Sequence, residues 1–273
     1  MGRFKELFTT AKPIIGMVHL LPLPGSPHYE QGGMKRVLER AEEEALMLEE
    51  AGVDGLQIEN IWDLPYSKPD RIGSETVAGL TAAASIVIQK VKIPVGINCH
   101  INGVCQALAV AAAVGAKWVR AFELVNAYIS NSGIIEAAAP DALRYRRYLR
   151  AEDIMIFGDF HVKHGSHYIL SDRSVEEQAH DVENCGADAV IITGSKTGSP
   201  PTAKDMERIQ KVVSIPLLIG SGLSLTNLEE LFPLSDGAIV GSSFKRGGNW
   251  RNPVDFQQAS DFMKRIRSIR GDG

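Results

Sequence analysis

Acid–base groups crowd one short stretch, Asp159-Phe160-His161-Val162-Lys163-His164-Gly165-Ser166-His167, at the point where an apolar run stops. Alternation along an extended strand puts Asp159, His161 and Lys163 on one side. There His161 would pass protons near neutral pH, and Lys163, its pKa lowered by desolvation, would form a Schiff base with a carbonyl substrate. Other apolar runs also end in polar side chains: His19, then Glu59 and Asn60, then Asn98 and His100, then Arg120 and Glu123. An unpaired carboxylate inside a packed core is costly, so these groups must meet one another, water or a ligand. The candidate catalytic set is Glu59, Asp159, His161 and Lys163, with His19, Asn60, Asn98, Arg120 and Glu123 in the same pocket. For Glu59 and Asp159 a structural ion pair with Arg120 or Lys163 stands beside direct chemistry, and His164 and His167 read as a hydrated loop. His19, Glu59, Asp159 and His161 are of types that ligate divalent metals, but no compact motif such as His-Glu-x-x-His accompanies them. No metal is expected, and the sequence requires no cofactor.

A second chemistry is written in glycine and serine. Leu217-Leu218-Ile219 runs into Gly220-Ser221-Gly222, and Ala238-Ile239-Val240 into Gly241-Ser242-Ser243. Small polar turns of this kind let backbone N–H groups approach an anion, and paired loops at the ends of the last two strands of a barrel often hold a substrate phosphate. Ser224 or Thr226 could cap a following helix, and Lys245 and Arg246 could add charge. Gly194 and Ser195, in Thr193-Gly194-Ser195-Lys196-Thr197-Gly198-Ser199-Pro200-Pro201, form a third candidate anion loop. The order around Lys196 is not that of a nucleotide-binding Walker A motif. The competing reading is that glycine merely permits tight turns.

These groups need a scaffold that brings them to one place. Short apolar runs alternate with longer amphipathic segments along the chain, the pattern of a parallel sheet with crossover helices. Eight runs are expected as strands: Ile14–Leu20, Gly55–Glu59, Val95–Cys99, Trp118–Phe122, Ile154–Phe160, Ala189–Thr193, Leu217–Gly220 and Ala238–Val240. Helical faces appear at Val37, Ala41, Ala45 and Leu48, at Val77, Leu80, Ala84 and Val87, and at Val175, Ala179 and Val182. Even-numbered strands follow Gly52-Val53-Asp54, the degenerate Gly115-Ala116-Lys117 and Gly186-Ala187-Asp188, with Ser235-Asp236-Gly237 keeping only its aspartate; odd ones follow Pro13, Pro94 and Pro216. A strand–helix–strand–helix unit repeated four times, over about 250 residues, is a (β/α)8 TIM barrel. With no linker in view, residues 1–273 are expected to form a single barrel domain. The long loops Leu21–Gly33, Asn60–Gly73 and Leu124–Pro140 all follow strands, so they lie on the face where barrel chemistry is found.

Composition narrows the partners. The 273 residues are 44% hydrophobic and 23% charged, an ordinary globular balance, and 29 Lys and Arg against 33 Asp and Glu give a net charge of −4. That lacks the basic excess of a nonspecific nucleic-acid binder. Cys99, Cys105 and Cys185 are too few and too apolar in setting for a disulfide framework, which points to a reducing cytoplasm. Charged residues break up the opening segment before it reaches signal-peptide length, and Val104–Ala116 is shorter than the roughly 20 residues of a membrane span. The expected partner is a small phosphorylated ligand, with neither nucleic acid nor an integral membrane segment.

Several motifs also carry a resemblance. Gly16-Met17-Val18-His19-Leu20 with Pro22-Leu23-Pro24-Gly25-Ser26-Pro27, Glu59-Asn60 with Asp63 and Pro65, and Thr193-Gly194 with Thr197-Gly198 and Pro200-Pro201 resemble motifs of the BtpA family, which includes the SgcQ-like proteins. Gly220-Ser221-Gly222, the run Asp236 to Lys245 and Asn252-Pro253-Val254-Asp255 are similar to its closing region. The resemblance implies a TIM barrel. It also implies a link to photosystem I biogenesis in photosynthetic members, with peripheral membrane association, and to sugar uptake in SgcQ-like ones. It transfers no catalytic residue. Two functions follow: an enzyme of isomerase, epimerase or aldolase type acting on a sugar phosphate, or a non-catalytic assembly or stability factor. Homo-oligomerisation is an expectation drawn from barrel enzymes in general.

Overall fold

The structure, a computed structural model, describes residues 2–194 and 200–271. Eight parallel strands close into a barrel in chain order: Ile14–His19, Gly55–Glu59, Val95–Asn98, Trp118–Ala121, Met155–Asp159, Ala189–Ile192, Leu217–Ile219 and Gly237–Val240. The last pairs with the first through Ile14↔Ala238, Ile15↔Ile239 and Gly16↔Val240. Helices cross over outside, among them Met34–Ala51, Ser74–Lys90, Val104–Val114 and Val175–Asn184, their apolar faces on the strands. Each expected strand is present, to within a residue or so at its ends.

The repeated aspartate has a physical role. Asp54 Oδ2 accepts the Ile14 N–H at 2.7 Å, Asp188 Oδ2 that of Ile156 at 2.9 Å, and Asp236 Oδ2 that of Leu217 at 2.9 Å. The second, sixth and eighth strands are thereby locked to their odd predecessors at the rim opposite the active face. Gly52 and Gly115, in left-handed conformation, end the preceding helices.

Inward-facing residues divide the barrel into an apolar end and a polar end. The short helix Gly2–Leu7 brings Phe4 and Phe8 against Phe157 and Trp118, with ring centroids 5.8 and 5.6 Å apart, and seals the strand N-termini. Trp118 stacks on Phe157 and donates its Nε1–H to Gln57 Oε1 at 3.1 Å. The indole occupies the space beside Gly96, where a Cβ would lie 2.1 Å from the ring. Gly96→Ala is therefore expected to cost about 3 kcal/mol, because neither backbone nor buried indole can retreat. A urea midpoint within 1 kcal/mol of wild type, by the linear extrapolation of about 1–3 kcal/mol per molar, would refute this close approach.

The segment after the fourth strand, read from sequence as a loop, holds an antiparallel hairpin, Ala127–Ser130 with Gly133–Glu136, and Gly165–Ser166 joins its edge. Tyr128 and Ile135 point inward to a small cluster with Ile101, Phe122 and Val162, while Ile129 and Ile134 point outward. Among the described residues no helix is long and apolar enough to cross a membrane. The three cysteines are unpaired thiols, and burial pushes that of Cys99 up to about 12.

Candidate functional site

A cavity of about 450 Å³ opens at the C-terminal ends of the strands. Polar residues at the strand ends, the turns after the seventh and eighth strands and Lys163 all line it. Glu59, the last residue of the second strand, lines the cavity and is almost fully buried. Its Oε2 accepts from Asn98 Nδ2 at 2.9 Å and lies 3.6 Å from His100 Nε2; its Oε1 lies 3.5 Å from His19 Nε2. Burial opposes the charge, but His100, His19 and Arg120 together outweigh it and hold the carboxyl well below the usual range. Glu59 is thus a fixed negative charge rather than a ready proton acceptor.

The imidazoles beside it are more adaptable. His19 Nδ1 lies 3.2 Å from the Trp250 carbonyl, which can only accept, so Nδ1 carries the proton and Nε2 turns its lone pair toward Glu59. Burial, reinforced by Lys245 and opposed by Glu59, lowers His19 to about 4. Two acceptors 3.5 Å apart call for a donor between them, a role a substrate hydroxyl can fill. His100 is clamped between the rings of Tyr66 and Phe122, at 4.4 and 4.7 Å, and neither of its nitrogens has a hydrogen-bond partner among the described residues.

Arg120 spans the floor. Its Nε and Nη2 donate to the two oxygens of Asp159, both at 2.7 Å, a bidentate pair shut off from water. Burial works against the guanidinium charge, and Asp159 overcomes this to hold Arg120 above its ordinary value. Burial also raises the Asp159 carboxyl, with Arg120 opposing. Arg120 shows one side to the cavity whereas Asp159 does not line it. Lys163 does line it, and burial, then Arg120, lowers its ammonium to about 8 against the pull of Glu59 and Asp159.

The expected alternation of Asp159, His161 and Lys163 does not hold. The strand stops at Asp159, and His161, at φ +51°, turns out to an exposed position stacked on His167 at 4.2 Å. His161 is outside the cavity lining, and His164 is within it. Asn60 is spent on scaffolding: its amide donates to Asp63 and its carbonyl accepts the His100 N–H, both at 2.8 Å. Glu123 is buried off the lining, its carboxyl pushed up to about 9 by burial and by Asp159, while Asn102 holds its backbone at both N–H and carbonyl. Phe122 joins the site from the end of the expected fourth strand, and Tyr66, Trp250 and Arg251 join it from segments in which no sequence pattern marked them.

Of the anion-loop candidates, Gly220, Ser221, Gly222, Gly241 and Ser242 line the cavity. Side chains tie the loop carbonyls back: Gly222 O accepts from Asn227 Nδ2 at 2.9 Å and Leu223 O from Ser243 Oγ at 2.6 Å. The Ser243 hydroxyl is thereby committed. The amides of Gly222, Leu223, Ser242 and Ser243 are left with no acceptor among the described residues. Gly220 also has a packing reason, since a Cβ there would lie 2.4 Å from Ile191 and 2.9 Å from Arg120 Nη2. Gly194 precedes the undescribed stretch and is off the lining; Ser195 lies outside the described residues. Lys245 supplies no charge to the turns, because it is buried against Glu44 Oε2 at 2.5 Å.

A sequence model described as the BtpA family matches residues 10–268. The chain belongs to the BtpA family. A relative from Pyrococcus abyssi, described as uncharacterized, is 38% identical over 262 residues, 96% of this chain and 98% of its own. The photosystem I biogenesis protein BtpA of Synechocystis is 38% identical over 95% of this chain and 89% of its own, and a Caenorhabditis elegans relative labelled mitochondrial is 37% identical over 97% of each. Among solved structures, N-(5'-phosphoribosyl)anthranilate isomerase from Pyrococcus furiosus superimposes with a TM-score of 0.57 at 15% identity, covering 94% of this chain and 99% of its own. (S)-3-O-geranylgeranylglyceryl phosphate synthase from Thermoplasma acidophilum, in complex with sn-glycerol-1-phosphate, gives 0.57 at 12% identity and 96% of both chains. At these identities the likeness concerns the fold, and it places this BtpA-family chain among TIM barrels.

Proposed function

We propose that this BtpA-family barrel is an enzyme acting on a small phosphorylated metabolite, with a sugar phosphate as the substrate class and isomerase, epimerase or aldolase-type proton chemistry as the reaction. One observation carries the reading: a single cavity joins two turns with uncommitted amides to a cluster of Lys163, Glu59, His19 and His100. The turns would fix the phosphate and so hold the reacting carbon over the cluster, which turns binding energy into orientation. The fixed charge of Glu59 would stabilise an imidazolium as a proton arrives, while Lys163 acts as nucleophile or base. Structural neighbours whose names carry phosphorylated molecules support the anion site. We take residues 1–273 as one barrel domain, and three unpaired thiols suit a reducing cytoplasm.

Thermal shift across a panel of sugar phosphates tests this, since a ligand at 100 times its Kd stabilises the native state by about 2.7 kcal/mol. Ser242→Asp should weaken the responding ligand by roughly 100-fold or more, because a carboxylate within about 4 Å of an anion repels it by several kcal/mol. Gly222 is less suited to this test: at φ +79° any side chain is strained whether or not an anion binds. Equal affinity in wild type and a folded Ser242→Asp protein would remove the phosphate reading. A second reading, an assembly factor, draws on the outward Ile129 and Ile134 of the hairpin and the exposed Tyr168 and Ile169 nearby. Such a face would seat a partner, a membrane surface or a second copy. A barrel that responds to no phosphorylated ligand, yet changes its mass in solution on Ile134→Lys, would favour it.

A further inference from the structure

The cavity has an apolar wall to which the chemistry above gives no task. Tyr66, Ile101, Phe122, Tyr128 and Val162 all line it, and they pack together in a hydrophobic cluster separate from the two that fill the barrel. The cluster is assembled from the segments after the second, third, fourth and fifth strands, with Tyr128 supplied by the hairpin. It therefore lies outside the packing of strands on helices. The strands close in chain order, so the third and fourth stand across the ring from the seventh and eighth, whose turns bring Gly220, Ser221, Gly222, Gly241 and Ser242 to the lining. The apolar wall and the glycine–serine turns thus belong to opposite arcs of the barrel. His19 and Glu59, on the first and second strands, fall between those arcs.

A sugar phosphate alone is a poor match for such a wall. Its carbons carry hydroxyl groups, and a hydroxyl set against hydrocarbon loses its water without gaining a hydrogen bond. The phenol of Tyr66 offers no donor, because its O–H is spent on the Ile61 carbonyl at 2.8 Å. At about 450 Å³ the cavity also falls in the range of roughly 300–1,000 Å³ that takes drug-sized ligands. What the wall accepts is visible in its own packing: the flat imidazole of His100 is held between Tyr66 and Phe122, with ring centroids 4.4 and 4.7 Å away. Aromatic side chains of this kind favour a partner ring, offset or edge-on, over other groups of the same area. We propose that the substrate is a sugar phosphate bearing an aromatic or heteroaromatic ring at the end away from the phosphate. The ring is seated on the wall of Tyr66, Phe122 and Val162, the phosphate on the turns, and the sugar carbons span the cavity between them. The proposal rests on the phosphate reading above, and its test separates the two.

Calorimetry with uridine 5'-monophosphate, adenosine 5'-monophosphate, ribose 5-phosphate and the two free nucleosides takes the parts separately. At least one nucleotide should bind ~10-fold or more tightly than ribose 5-phosphate, since removing roughly 60 Å² of ring surface from water is worth that factor. Ribose 5-phosphate binding as tightly as both nucleotides overturns the ring and leaves the phosphate reading standing. A nucleoside binding as tightly as its nucleotide keeps the ring and overturns the phosphate reading, and no binding by any of the five overturns both. Nuclear magnetic resonance then locates the ring. In protein with labelled isoleucine and valine methyl groups, the base protons of the tighter nucleotide should show Overhauser contacts to Ile101 and Val162. Contacts only to other methyl groups, such as the outward Ile129 and Ile134, overturn the proposal. Phe122→Leu keeps an apolar side chain but removes the ring, and should lower the preference for nucleotide over ribose 5-phosphate by about threefold, half a decade in affinity. Tyr66→Leu should do the same, and it serves if Phe122→Leu does not fold. A preference that both variants leave intact overturns the proposal.

Discussion

Lys163→Met should lower turnover of the phosphorylated substrate by roughly 10²- to 10⁴-fold, the range for losing a positioned acid, base or nucleophile. Methionine keeps most of the stem and removes only the amine. Burial, with Arg120 adding to it, lowers that amine to about 8. At pH 7 roughly one Lys163 in ten is then neutral, against roughly one in 3,000 for an ordinary lysine. Only the neutral amine can add to a carbonyl carbon and lose water to give a Schiff base. Because protonation removes the lone pair, kcat/KM should rise with pH and level off near 8, and Lys163→Met should abolish that limb. Borohydride reduction during turnover should leave an adduct on Lys163 that peptide mass analysis can locate. A rate that falls through the same pH range would make Lys163 a general acid instead. A Lys163→Met protein within tenfold of wild type would sink both roles.

Much of this scaffold is legible in the chain because its signals are local. Proline ahead of an odd strand and aspartate ahead of an even one recur, and Asp54, Asp188 and Asp236 show why: each ties the next strand to an amide at the start of the previous one. The polar residues that end the apolar runs also mark the site, since alternation alone turns His19, Glu59, Asn98 and Arg120 inward at one end of the barrel. Alternation fails beyond the strand, at His161, where the backbone enters the left-handed region and reverses the side-chain direction. The plug made by Phe4 and Phe8, and the hairpin that faces Tyr128 and Ile135 inward, depend on contacts far apart in the chain. Trp250 is the same kind of case: its carbonyl sets the tautomer of His19 from 231 residues away. Periodicity reports which face of an element is apolar and says nothing about where a loop returns.

Asp159 offers the sharpest separation between architecture and chemistry. Asp159→Ala should cost about 3–5 kcal/mol, because it leaves the Arg120 guanidinium buried without its counter-charge. Asp159→Asn should be nearly as costly, since an amide keeps the shape but gives Arg120 one acceptor oxygen instead of two and no negative charge. The consequence reaches the cavity through position, not through contact with the substrate. Arg120 Nη2 occupies the space next to Gly220 that a Cβ would need, so a displaced guanidinium would press on the turn that presents Ser221 and Gly222. The double variant Arg120→Met with Asp159→Leu removes both charges at similar volume and should recover most of the lost stability, as replaced buried ion pairs often do. It should not recover turnover, because Glu59 loses Arg120 as one of the cations holding it ionised and Lys163 loses a neighbour that lowers its pKa. Chemical denaturation and kinetics on the same samples check both halves. If Asp159→Ala stays within 1 kcal/mol of wild type, the pair is not the buried strut described here, and if the double variant turns over normally, neither charge serves the site.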